Sequence, residues 1–123
     1  MQQKTILVVD DSATSRLLFR AHLPGNFPYV VHEADNLDGA MEEAVSVRPE
    51  VVVLDYNMPG QSGVEIARAM LKAGINARFV LFTANTQKFV LDEAAEAGFV
   101  AVIEKPVTRE KINDMLEKVS QCN

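Results

Sequence analysis

Residues 51–60 read VVVLDYNMPG. Four apolar residues, Val51 to Leu54, end on an acid, Asp55, and the turn signal Met58-Pro59-Gly60 follows. A short β-branched run without polar alternation is the pattern of a strand covered on both faces. Four other runs share it: ILVV (6–9), YVV (29–31), FVLF (79–82) and VAVI (100–103). Helical patterns alternate with them. Leu37, Ala40, Met41, Ala44 and Val45 fall at i, i+3, i+4, i+7 and i+8, and Ile112, Met115, Leu116 and Val119 repeat the spacing, so each helix carries one apolar stripe. Ser62 and Glu65 have capping-box form, and Asn36 and Thr108 suit N-caps. Gly74 and Gly98 stand where C′ glycines belong, and Leu23-Pro24-Gly25 should end the first helix. Strand followed by helix, five times over, predicts a doubly wound parallel α/β sheet with helices on both faces.

The bulk properties fit one such domain over residues 1–123. The chain is 48% hydrophobic and 24% charged, ordinary usage for a globular protein. Its net charge of −5, with no run of Lys or Arg, argues against nucleic acid or an anionic membrane surface as partner. The apolar run Ile6–Val9 is cut by Asp10, too short for a signal peptide or a membrane span. One cysteine, Cys122, excludes an internal disulfide and a cysteine metal cluster, so a cytoplasmic, reducing location is expected.

In doubly wound folds ligands bind at the C-terminal ends of the strands. The first strand here ends on Asp10-Asp11, the third on Asp55, the fourth on Thr83 and the fifth near Lys105-Pro106, while the second ends in His32-Glu33-Ala34 with nothing comparable. Singly, each has an ordinary reading. The acidic pair would cap the first helix, Asp55 would start a turn, Thr83 would be a strand residue and Lys105 a solvated lysine. Together they converge on one sheet edge. Three carboxylates placed there repel unless a cation or protons neutralise them. A hard divalent ion with oxygen ligands answers this, and Mg²⁺ suits a site with few protein ligands.

The motifs VVDDS (8–12), LDYNMPG (54–60), FTA (82–84) and EKP (104–106) resemble the receiver domain of bacterial two-component response regulators, above all its single-domain, chemotaxis-type members. The resemblance spans essentially the whole chain. It implies a flavodoxin-like strand order 2-1-3-4-5. It implies Asp55 as phosphoacceptor, and Asp10, Asp11, Asp55 and the backbone carbonyl of Asn57 as ligands of Mg²⁺. Thr83 and Lys105 would bind the phosphoryl group, Ala84 would leave it room, and Lys105-Pro106 would be cis. A sensor histidine kinase or histidine phosphotransfer protein would donate the group. The signal would leave by protein–protein contact through the fourth helix, fifth strand and fifth helix. Nearby cations should favour ionised Asp55.

The chain departs from the family pattern at Val102, where many members carry an aromatic residue three positions before the lysine. Valine is small and stiff at χ1 and cannot swing a ring. Phe99, three residues earlier, is expected on the opposite face of the strand. Three other function classes compete with the switch. A phosphohydrolase with an aspartyl-phosphate intermediate usually has a second acid two residues after the nucleophile, where this chain has Asn57. A pseudo-receiver that binds partners without phosphorylation is disfavoured by the full set of key side chains. A nucleotide- or flavin-binding domain would want a Gly-rich loop after the first strand, which is lacking.

Overall fold

The computed structural model describes residues 4–121; Cys122 lies outside them. The elements alternate as expected: β1 (Thr5–Val9), α1 (Ala13–Ala21), β2 (Val30–Ala34), α2 (Leu37–Val47), β3 (Val51–Asp55), α3 (Gly63–Lys72), β4 (Arg78–Thr83), α4 (Lys88–Glu96), β5 (Ala101–Glu104) and α5 (Arg109–Gln121). A two-residue hairpin, Asn57–Met58 against Gln61–Ser62, interrupts the chain between β3 and α3. Gly60 turns it with φ 82°, a left-handed conformation that glycine adopts without a steric penalty.

The five long strands are parallel and lie in the order β2-β1-β3-β4-β5. Each strand in the centre of the sheet sends alternate side chains to opposite layers. Ile6, Val8, Val51, Val53, Val80, Phe82 and Ile103 meet Phe19 of α1 and Ile112, Met115 and Val119 of α5. Leu7, Val9, Val52 and Leu54 face the other way, onto Ala40 and Ala44 of α2 and Ile66, Ala67 and Met70 of α3. Leu81 packs with Val90 and Ala94 of α4 on that side. Burial on both faces explains the unbroken apolar runs, and each fully buried Val, Leu or Ile contributes about 1.5–3 kcal/mol.

The caps form as read. Asn36 Oδ1 accepts from Gly39 N at 2.7 Å, Thr108 Oγ1 from Lys111 N at 3.1 Å, and Ser62 and Glu65 complete a reciprocal capping box. Gly74 and Gly98 have φ of 86° and 87°, just after α3 and α4.

Three expectations need correction. The second strand starts at Val30 rather than Tyr29, and it ends in His32, Glu33 and Ala34 as read, which pair with Leu7, Val8 and Val9. As an edge strand it tolerates polar residues, and Arg16 and Arg20 hold the Glu33 carboxylate. Val45 is 65% exposed, because eight residues from Leu37 carry it past the edge of the α2 stripe. Phe99 shares a cluster with Val102 and stacks on Phe79 at 5.9 Å between centroids. It precedes β5, so strand alternation does not apply between the two residues.

Candidate functional site

The pairing register brings the C-terminal ends of β1, β3, β4 and β5 level, with Val9 beside Leu54, Asp55 beside Phe82 and Thr83 beside Glu104. Asp10 follows β1 and is fully buried. Its N–H donates to the Ala34 carbonyl at 3.1 Å, and its Oδ1 accepts from Ser12 N at 2.9 Å. Asp11 is exposed at the mouth of the site. Asp55 closes β3 with 6% of its surface exposed. One carboxylate oxygen from each of Asp10, Asp11 and Asp55 lies within 4.8 Å of the others. That all-oxygen donor set at one rim matches a hard divalent ion such as Mg²⁺.

Gly63 fixes the strand end from below. A Cβ there would collide with the Asp55 carbonyl oxygen and crowd Leu54 Cβ at 3.2 Å, so only glycine lets α3 start this close. The Gly63 N–H donates to the Tyr56 carbonyl at 3.0 Å, and the Tyr56 N–H donates to the Phe82 carbonyl at 3.1 Å. The residue after Asp55 is therefore tied to both neighbouring elements.

Lys105 reaches in from the far side of the sheet. Its N–H donates to the Thr83 carbonyl at 2.9 Å, and the following bond to Pro106 is cis, as the motif implies. Nζ donates to Asp10 Oδ2 at 3.1 Å, to Asp55 Oδ1 at 3.3 Å and to Ser15 Oγ at 3.3 Å. It also lies 4.7 Å from the centroid of the Phe82 ring. Burial pushes the Asp55 carboxyl up to about 6, and the neighbouring Asp10 charge adds to this; Lys105 and the Asn57 N–H pull in the other direction without cancelling it. Lys105 favours the ionised form of Asp55, as expected, but in the metal-free site burial and the Asp10 charge outweigh it.

Thr83 ends β4, almost fully buried. Its hydroxyl does not meet Asp55. It accepts from Asn85 N at 2.9 Å and donates to Asn85 O at 3.3 Å. Ala84 is exposed beside it, and Asn57 is exposed in the hairpin. Asp10, Asp11, Asp55 and Lys105 thus form one cluster, while Thr83, Ala84 and Asn57 sit on its rim. Sequence reasoning missed Ser15, Tyr56 and the close-approach role of Gly63. Ser15 and Tyr56 act across 90 and 37 residues of chain, so no local pattern marks them.

The chain belongs to the response regulator receiver domain family, whose model matches residues 6–117. It is a phosphorylation-dependent signalling switch of a kind that works with histidine kinases or phosphotransfer proteins and downstream targets, not a classical enzyme. It is 30% identical over 118 residues to the chemotaxis protein CheY of Thermotoga maritima, covering 96% of this chain and 98% of the relative. It is also 30% identical over 118 residues to sporulation initiation phosphotransferase F of Bacillus subtilis, covering 96% and 94%. Among solved structures, the response regulator domain of Thermotoga maritima CheB superposes with a TM-score of 0.79 at 27% identity, covering 96% and 94% of the two chains. Among the described residues, no helix is long and apolar enough to cross a membrane.

Proposed function

We propose that residues 1–123 form a single receiver domain that accepts a phosphoryl group on Asp55. The observation that carries this is the convergence of the Asp10, Asp11 and Asp55 carboxylates beside the Lys105 ammonium. An Asp55 carboxylate oxygen attacks phosphorus as the nitrogen–phosphorus bond of a partner's phosphohistidine breaks, and the electron pair returns to the imidazole. Mg²⁺ held by the Asp10, Asp11 and Asp55 side chains and the Asn57 carbonyl would offset the charge repulsion between nucleophile and phosphoryl group. Lys105 pairs with the transferred oxygens, Thr83 donates its hydroxyl once it leaves Asn85, and exposed Ala84 leaves space. The only reactions catalysed are the domain's own phosphorylation and dephosphorylation. The donor is a sensor histidine kinase or a histidine phosphotransfer protein in the cytoplasm, with neither nucleic acid nor membrane involved.

The output face is α4, β5 and α5. Shifting a two-state equilibrium from about 1:99 to 99:1 takes roughly 5.5 kcal/mol. Two or three charge-assisted hydrogen bonds to the new phosphoryl group, at about 1.5–3 kcal/mol each, reach that sum.

The test is intact mass after incubation with acetyl phosphate and Mg²⁺. A single phosphate adduct is expected in the parent and none in Asp55→Asn. A parent protein that gains no adduct sinks the assignment.

A further inference from the structure

Three oxygens face the three N–H bonds of the Lys105 ammonium: Asp10 Oδ2, Asp55 Oδ1 and Ser15 Oγ. Two of them belong to the carboxylate cluster. Ser15 does not. It stands on the first turn of α1, where its own N–H donates to the capping hydroxyl of Ser12 at 3.2 Å, so the helix start fixes it. We propose that Ser15 is a positioning residue for Lys105, an inference that rests on Asp55 being the phosphoacceptor.

A cation bound by Asp10 and Asp55 competes with the ammonium for their oxygens. Ser15 is then the one protein acceptor of the three that carries no charge to give away. It keeps Nζ over the site without drawing it from an arriving phosphoryl group, as a third carboxylate would. Lysine has a long stem with much rotamer freedom to lose. The Ser15 hydroxyl and the Phe82 ring restrain that stem before the reaction, which is pre-organisation in the strict sense.

The test compares the parent with Ser15→Ala and Ser15→Thr. In metal-free, donor-free protein, the ¹⁵N-detected resonance of the Lys105 ammonium should shift in Ser15→Ala and return in Ser15→Thr. With acetyl phosphate and Mg²⁺, Ser15→Ala should acquire phosphate about three- to tenfold more slowly, the range for one ordinary net hydrogen bond, and Ser15→Thr should recover the rate. An unmoved ammonium resonance in Ser15→Ala overturns the proposal. So does a slower rate that Ser15→Thr does not rescue. The resonance is read without donor or metal, so it decides the Ser15 contact even if the parent fails to take up phosphate.

A different observation carries a second inference. Tyr56 packs against the cluster of Val64, Leu81, Val90 and Ala94, as Val102 does, and its hydroxyl donates to Glu93 Oε1 of α4 at 3.0 Å. Its backbone is tied to β4 and α3 as described. The geometry points to Tyr56 as the link from Asp55 to α4, through the apolar cluster against which its ring packs and its hydrogen bond to Glu93. This too rests on the phosphoacceptor reading.

Beryllofluoride with Mg²⁺, a mimic of the phosphoryl group, tests it by amide chemical shifts. In the parent, residues 88–96 should shift along with the site. In Tyr56→Phe and Glu93→Ala the site should still shift while the α4 response is lost; Glu93→Gln, which keeps an acceptor, should retain it. An α4 response in Tyr56→Phe equal to the parent's overturns the link alone. A parent that ignores both agents overturns the phosphoryl site and the link together.

Discussion

Helices α3 and α4 both follow strands that end in the site, yet they are held differently. Helix α3 begins with a complete capping box, an acid in its first turn, and Gly63 pressed against the Asp55 carbonyl. It buries Gly63, Val64, Ile66, Ala67 and Met70. Helix α4 begins at Gln87, which makes no side-chain cap bond, and its first turn has no acid. It buries only Val90 and Ala94, and Phe89 is 60% exposed. Its Lys88–Asp92 ion pair is solvent-exposed and contributes little. The difference separates two tasks. The first helix is locked against Asp55, and the second is more loosely held.

The largest effect expected from breaking this contrast is at Gly63. Gly63→Ala forces the α3 backbone away from Asp55 and should cost about 3 kcal/mol in urea unfolding. A cost under a tenth of that would mean α3 is as loose as α4.

The second effect concerns the anchored acid itself. The Asp55 carboxyl titrates near 6 in the folded, metal-free protein, against 3.8 as an isolated group. Between those values the folded chain binds the extra proton, so stability falls as pH rises through the window and stays low above it. Asp55→Asn lacks that loss. It should gain nothing below the window and about 2 kcal/mol at neutral pH, the shift's full value of about 3 kcal/mol reduced by solvent screening, measured by urea unfolding in the presence of a chelator. A gain independent of pH would contradict the electrostatic cause.

The smallest effects test the caps. Ser62→Ala should lower stability by about 1 kcal/mol, whereas Gln87→Ala should stay within about 0.3 kcal/mol of the parent. Equal costs at the two positions would remove the asymmetry.

Much of the fold was legible because the central strands are covered on both faces, which forces unbroken apolar runs at 6–9, 51–54 and 79–82. The strand-end acids and Lys105 were legible because strand direction alone sends them to one edge. What stayed hidden depends on contacts between distant segments or on exposure. The grip of two α1 arginines on the Glu33 carboxylate joins segments that no local pattern links. The side on which Phe99 lies is set by where β5 begins, and a boundary is the weakest thing a pattern gives. The raised Asp55 pKa reflects a contest between burial and one lysine, which no spacing reveals.

The grip of Lys105 on both Asp10 and Asp55 has one more consequence. The metal-free site already contains a monovalent cation, covalently attached to the chain. Sodium or potassium entering there would only duplicate the charge that the ammonium supplies. A divalent ion brings a charge that the lysine cannot match. A tethered ammonium of this kind biases the site against monovalent ions and toward a divalent one.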